Sequence, residues 1–431
     1  MRASPARRRG TDGAKVHIFY RSQFLMARRR CPLSRAHIPV KITSVRCLLL
    51  SCPYAVPGDL ERELCFADGH RTISVIKVET DAGTYGLGET YTGVFAPEAV
   101  RELVAQFEIE LLGRDPAEVA DLHELLRVAC YYWGRFGMSA SVVGGIEMAL
   151  WDLRGKTLGV PVHELIGGRV HDRIPVYASG GNNKPFPELR EELETFVRAG
   201  YRAVKIRINF LTPEEIVEKV AFCREVLGRS VGLAVDAVQG VARRPWSTVE
   251  ALDVIRSIEP FHPLWIEEPC EVTDYASFAE VRSKTKVTVA GGETVTNWVE
   301  ARAYVEAGAV DLFQPDAAII GGLTAFRRVA DYCAAHGVDV AVHTWAGGVG
   351  IMGNYHAAFA SQNCLFLELP NNPYPLREEF QVEPLRIVDG AIVAPTAPGL
   401  GVVLPDDVEV RYPYRPGSFY RVLGHPKGEA R

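Results

Sequence analysis

Hydrophobic and polar positions change their period twice along the chain. From Lys41 they alternate in short segments rich in β-branched residues, at Lys41–Ser51, Thr72–Thr80 and Thr84–Glu89. The turn Asp81-Ala82-Gly83 separates the last two, so the pattern predicts antiparallel strands with a hairpin. From Ala96 to about Gly168 the apolar residues fall at helical spacing. Ile146, Ala149, Leu150 and Leu153 within Ser139–Lys156 are an example. Residues 41–168 thus predict an α+β domain. After Asp172 short apolar segments alternate with helical ones. Strands are predicted at Ile174–Ala178, Ala203–Ile208, Gly232–Val235, Leu264–Ile266, Val287–Ala290, Leu312–Gln314, Val338–Val342 and Leu365–Leu367. Helices are predicted between most of them, among them Pro213–Leu227, Ser247–Ser257, Thr296–Ala307 and Leu323–His336. This alternation predicts parallel βα units. Eight strands in about 200 residues make a closed α/β barrel, over 169–384, rather than two dinucleotide-binding halves. Short strands resume at Leu385–Val388, Ile392–Val393 and Val402–Leu404, and the segment 385–431 is expected to return to the first domain.

Composition narrows the function classes. Of 431 residues, 47% are hydrophobic and 23% charged, an ordinary globular balance. No apolar run approaches the ~18 residues that span a bilayer. The nine cysteines form no CxxC pair, which excludes zinc fingers and disulfide scaffolds and implies reduced thiols in a cytoplasmic compartment. Residues 1–40 hold nine Arg and Lys15 against Asp12, a net +9 that leaves the rest of the chain at −14. The acidic body argues against nucleic acid as a partner. The basic head lacks the apolar stretch of a secretory signal, and is expected to be a disordered extension or non-native upstream sequence.

The chemistry sits at the strand ends. In a parallel barrel, polar residues at the C-terminal ends of strands face the active site. Here those ends carry Lys205 with Arg207, then Asp236, Glu267, Glu293, Asp316, His343 and Glu368, recurring every 23 to 31 residues. Capping explains one such residue, but seven consecutive strand ends exceed it. Asp236, Glu267 and Glu293 end three neighbouring strands, about 4.8 Å apart. Three converging carboxylates repel one another, and a hard dication relieves the repulsion. An all-oxygen set without Cys or His favours Mg²⁺. Glu268 is expected on the opposite side by strand alternation. Asp316 one strand before His343 can fix the imidazole tautomer and raise its basicity. Lys205 and Arg207 share one side of their strand. Lys205 is a candidate base if burial and Arg207 lower its pKa, and Arg207 is a charge partner or carboxylate clamp. The alternative is that both only balance the acids. Gly348-Val-Gly350-Ile-Met-Gly353 matches G-x-G-x-x-G, but it follows the seventh strand and Glu368 is only 15 residues beyond it. It is expected to be a glycine-rich loop that lets the backbone approach the substrate.

The order Lys-x-Arg, Asp, Glu-Glu-Pro, Gly-Gly-Glu, Gln-Pro-Asp, His-Thr-Trp, Glu resembles the enolase superfamily, in its mandelate racemase-like subgroup. Ile146-Glu-Met-Ala-Leu-Trp-Asp-Leu-Arg-Gly-Lys156 resembles that family's capping-domain helix. The resemblance spans about residues 41–405. It implies a (β/α)₇β modified TIM barrel under an α+β capping domain completed by the C-terminal segment. It also implies Mg²⁺ on Asp236, Glu267 and Glu293, His343–Asp316 as the general-base dyad, and Glu368 as an acid bonded to the enediolate oxygen. Homo-oligomers from dimer to octamer are a further implication. Two positions depart from the family. Arg207 replaces the second Lys of a Lys-x-Lys motif, which ranks β-elimination above racemisation. Val238 replaces an Asn, and Gln239 is the candidate substitute. The reading is a Mg²⁺-dependent acid-sugar dehydratase giving a 2-keto-3-deoxy acid. Its alternatives are a racemase, epimerase or cycloisomerase, and a non-catalytic scaffold. Candidate cap contacts are the 51–70 loop, Thr90–Phe95, and Tyr131, Tyr132, Trp133 and Arg135.

Overall fold

The computed structural model describes residues 40–54, 64–66 and 69–422. The basic arm and most of the 51–70 loop lie outside them. The antiparallel sheet forms as the alternation predicts. β1 (Ile42–Pro53) pairs with β3 (His70–Thr80), and β3 with β4 (Tyr85–Thr90). A short β2 (Leu64–Phe66) stands apart from this sheet. Helices α1 (Pro97–Leu111), α2 (Val119–Ala129) and α3 (Met138–Leu158) follow. Helix α3 is buried nearly all round, which is why its apolar residues form no single stripe. Strand β4 lies directly on it. A Cβ at Gly88 would stand 1.9 Å from the Gly145 carbonyl, so only glycine permits the approach.

After α4 (Val162–Leu165) the βα units begin: β5 (Arg173–Ser179), α5 (Phe186–Arg198), β6 (Ala203–Arg207), α6 (Pro213–Leu227), β7 (Gly232–Asp236) and α7 (Thr248–Ile258). They continue through β8 (Ile266–Glu267), α8 (Tyr275–Lys284), β9 (Val289–Gly291), α9 (Trp298–Glu306), β10 (Leu312–Phe313) and α10 (Leu323–Ala335). The last are β11 (Asp339–Ala341), α11 (Gly348–Phe359) and β12 (Cys364–Pro370). Every neighbouring pair is parallel, and β12 pairs with β5 to close an eight-stranded barrel. Capping boxes start α6 (Thr212 with Glu215) and α7 (Ser247 with Glu250). Tyr177 and Trp265 fill the barrel floor among Ala203, Ala234, Ala290 and Ala341.

The chain then runs through α12 (Pro375–Glu378), β13 (Ile387–Val388), β14 (Ala391–Val393), α13 (Val408–Arg411) and β15 (Tyr420–Val422). The tail divides. The β13–β14 hairpin joins the barrel, antiparallel to β5, and β15 pairs with β2. Val402–Leu404 is not a strand; Val402 makes one bridge to Gln381. Among the described residues no helix is long and apolar enough to cross a membrane.

Polar groups of the cap helix seat it on the barrel. Glu147 of α3 accepts the N–H groups of Leu323 (2.8 Å) and Thr324 (3.1 Å), the free donors that open α10. His163 of α4 stacks on His356 of α11 with centroids 5.0 Å apart, and their Nδ1 atoms are 3.0 Å apart. Burial, with the His163 charge, pushes His356 down to about 3. An unfolded His takes up its proton near 6.5, so the unfolded state binds more protons as pH falls from 6.5 towards 3. Stability is whole above pH 6.5 and is lost below it, by about 1.4 kcal/mol per pH unit from this residue. Urea midpoints at pH 7 and pH 5 should show a steeper acid loss in the wild type than in His356→Asn.

Candidate active site

The barrel's C-terminal mouth gathers every strand-end residue named from the sequence. Asp236 and Glu267 are the last residues of β7 and β8. Glu293, Asp316 and His343 follow β9, β10 and β11, and Glu368 lies within β12. Lys205 is fully buried at the centre. Its Nζ is 2.5 Å from Glu267 Oε1, 3.1 Å from Glu368 Oε1 and 3.8 Å from Asp236 Oδ2. Burial opposes its charge, but these carboxylates overcome that and hold the ammonium well above its ordinary range. The expected lowering by burial and Arg207 is therefore corrected: the neighbouring carboxylates outweigh burial and raise Lys205 instead. Arg207 lies at the edge. Its Nε is 3.9 Å from Asp236 Oδ2, Nη1 donates to Asn182 Oδ1 (3.2 Å), and its guanidinium lies 4.5 Å from the Trp345 ring centroid.

His343 Nδ1 is 3.0 Å from Asp316 Oδ2, and its Nε2 is 3.5 Å from Glu293 Oε2. Burial disfavours the imidazolium, but Glu293, the Asp316 hydrogen bond and Glu368 push it up to about 10. Burial would raise Glu368. Lys205, His343, Ser179 and the Thr344 N–H (2.8 Å) instead hold it near 2. Glu368 is thus held below the usual carboxylate range, where the resemblance implies an acid bonded to the enediolate oxygen.

Two residues that sequence reasoning passed over fix Glu267. Trp265 Nε1 (2.9 Å) and Gln314 Nε2 (2.6 Å) both donate to its Oε2. Trp265 follows from strand alternation, since it shares the face of Glu267; Gln314 was visible only as part of the Gln-Pro-Asp motif.

Glu268 departs from alternation. Its φ is +43°, and its carboxylate stays buried under the charges of Glu293, Asp236 and Glu267. Glu268 Oε1 is buried without a hydrogen-bond partner. Val238 also adopts a left-handed backbone, φ +48°, where a β-branched side chain is strained and Asn is tolerated. Val238→Asn is expected to stabilise the fold by about 1 kcal/mol, read as a higher urea midpoint. Gln239 does not stand in for the missing Asn. It turns into its own loop, donating to Ala237 O (2.9 Å) and accepting Trp246 N–H (3.0 Å).

A cavity of about 350 Å³ opens over His343, Glu293, Asp236 and Arg207. Tyr91, Thr92 and Phe95 of the 90–95 loop line it, and Tyr420 of the tail adds a wall with no signal in the sequence. Tyr131 and Arg135 do not reach it. They line a separate cavity of about 520 Å³ against α9 and α10, because the α2–α3 turn lies over those helices. Tyr132 is 96% exposed, and Trp133 stacks on Phe107. Nor is the glycine-rich segment a substrate loop: it forms the buried first turns of α11.

Among the described residues no three acidic, His or Cys side chains enclose a single point closely enough to cage an ion. The acids lean on Lys205, Arg207 and His343 instead. The donor set nevertheless suits a hard dication. Burial and mutual repulsion push Asp236, Glu268 and Glu293 above the ordinary carboxylate range, so the cluster lacks positive charge. The orphaned Glu268 oxygen marks the same deficit. Asp236, Glu267 and Glu293 are the residues that could hold the ion.

A family model for the enolase C-terminal domain-like fold matches residues 188–408, and one for the mandelate racemase / muconate lactonizing enzyme N-terminal domain matches 66–167. The chain is 31% identical over 346 residues to D-galactonate dehydratase of Xanthomonas euvesicatoria, covering 77% of this chain and 89% of that one. It is 30% identical over 388 residues to D-galactarolactone cycloisomerase of Agrobacterium fabrum, covering 87% and 100%. The crystal structure of L-talarate dehydratase from Polaromonas sp. JS666, complexed with Mg and L-glucarate, matches with a TM-score of 0.74 at 27% identity. That match covers 87% of this chain and 98% of that one.

Proposed function

The chain belongs to the mandelate racemase-like subgroup of the enolase superfamily, and from that premise we propose that it is a magnesium-dependent acid-sugar dehydratase. The observation that carries the reading is the single hydrogen-bonded imidazole, His343 on Asp316, at a cavity wall facing an acid-rich cluster. Bound at Asp236, Glu267 and Glu293, Mg²⁺ would offset the substrate carboxylate's charge and the charge that builds there as the α-proton leaves. Arg207 faces the same cavity and offers the carboxylate a second cation. His343 Nε2 takes the α-proton, with Asp316 holding the opposite nitrogen. This requires that the Glu293 charge be engaged elsewhere, since Glu293 keeps the imidazole protonated. The electron pair of the C–H bond forms the new C–C double bond, and the β C–O bond breaks. The imidazolium returns its proton to the departing hydroxyl as water, and the enol becomes the 2-keto-3-deoxy acid.

Elimination is preferred to racemisation because the second face lacks a base. Arg207 keeps its proton, and Lys205 pairs with Glu368, a carboxylate outside the proposed metal ligands, at 3.1 Å. A cycloisomerase shares the first half of this reaction, and the Agrobacterium relative favours it as the second reading. The test is a screen of aldonates, aldarates and their lactones with magnesium, scoring 2-keto acid formation. A 2-keto-3-deoxy product from an open-chain acid sugar supports the dehydratase. Turnover of lactones alone supports the cycloisomerase, and no turnover of either class contradicts both.

A further inference from the structure

We propose that Asn354, on α11, is a positioning residue that sets the orientation of Asp316 and through it of His343. The inference rests on the reading of His343 as the base. Asn354 is fully buried. Its Nδ2 donates to Asp316 Oδ1 at 2.7 Å, and its Oδ1 accepts the Ala317 N–H at 2.7 Å. Asp316 Oδ1 also accepts the Ala318 N–H at 2.8 Å. Two donors therefore saturate one carboxylate oxygen, and Oδ2 is left to face His343 Nδ1 at 3.0 Å. Rotation of the carboxylate would break the Asn354 bond and move the imidazole's partner. The amide thus selects which oxygen meets the histidine.

Helix α11 is itself held from the cap. Glu89, at the end of β4, accepts the N–H groups of Gly347 (2.6 Å) and Gly350 (2.8 Å) at the helix start. The glycines that mimic a dinucleotide fingerprint let the helix seat this closely. A Cβ at Gly348 would stand 2.3 Å from Arg377 O, and one at Gly353 2.6 Å from Met148 Cε of α3. The cap thereby fixes the helix, the helix places Asn354, and Asn354 holds the acid of the dyad.

Asn354→Asp replaces the donor to Asp316 by a second carboxyl facing it and also removes the bond to Gly350 O. It keeps an oxygen for the Ala317 N–H and removes the N–H that binds Asp316. The variant should lose about 10- to 100-fold in kcat with KM within about threefold, on the acid sugar that the wild type turns over in the screen. A C2-deuterated substrate should show a larger isotope effect than in the wild type, which a merely structural loss would not produce. Asn354→Ala must show the same kinetics if the buried charge of the Asp variant prevents folding. Its crystal structure should show Asp316 rotated and the 3.0 Å contact to His343 lost. A folded variant with wild-type kcat and isotope effect, or with the dyad geometry unmoved, overturns the inference. His343→Asn separates the two claims. If it is inactive while Asn354→Asp is unimpaired, only the positioning role fails; if it is active, the base assignment fails. Should no acid sugar be turned over, the variant's crystal structure alone decides.

Discussion

His343→Asn is expected to lower kcat by about 10²–10⁴-fold, the range that general acid–base catalysis contributes, with a much smaller change in KM. The residue is placed for one task. One ring nitrogen is committed to Asp316 at 3.0 Å, and the other faces the cavity beside Glu293. Asn fills much of the imidazole's space but cannot shuttle a proton. Steady-state kinetics on the best substrate from the screen gives the result. Undiminished kcat in a folded variant would remove the dyad from the chemistry. A drop in affinity alone would make His343 a binding group.

The second large effect concerns stability. Lys205→Met should destabilise the fold by about 3–5 kcal/mol, the usual result of removing one partner from a buried ionic cluster. Methionine fills a similar volume, so the loss is electrostatic rather than a cavity. Glu267 and Glu368 are both fully buried in their side chains, and each would lose its nearest cation. Glu368 would then rise from its depressed pKa, since Lys205 is the first of the influences that lower it against burial. Urea unfolding at pH 7 measures the difference. A midpoint equal to the wild type would mean that the cluster does not need this ammonium.

Much of this arrangement is legible in the chain because a barrel repeats its geometry. Each βα unit ends its strand at the same rim, so a polar residue at Asp236, Glu267 or His343 can only face one mouth. Pro213–Leu227 matches its helix residue for residue, since a capping box and Gly228 bound it. What sequence reasoning misplaced lies where local rules give way to backbone strain or to contacts distant in sequence. Alternation sends Glu268 outward, but its left-handed backbone just past a two-residue strand breaks that pattern, and its carboxyl feels the charges of Glu293, Asp236 and Glu267. Gln239 is sequence-adjacent to the site yet satisfies its own loop. The aromatic run Tyr131–Trp133 suggests a cap contact, but the helix preceding it directs it elsewhere. Tyr420 comes from a segment with no chemical signature, and Asn354 follows a glycine motif that points to another chemistry. Only the fold brings them to the cavity and to Asp316.

Calorimetric titration of Mg²⁺ into the metal-stripped protein, beside Glu267→Gln and Glu293→Gln, asks whether the strand-end carboxylates hold the ion. One site per chain is expected in the wild type, with binding about 10- to 100-fold weaker in each variant, because a ligand and a charge are lost together. Equal binding by all three proteins, or none by the wild type, would contradict that assignment.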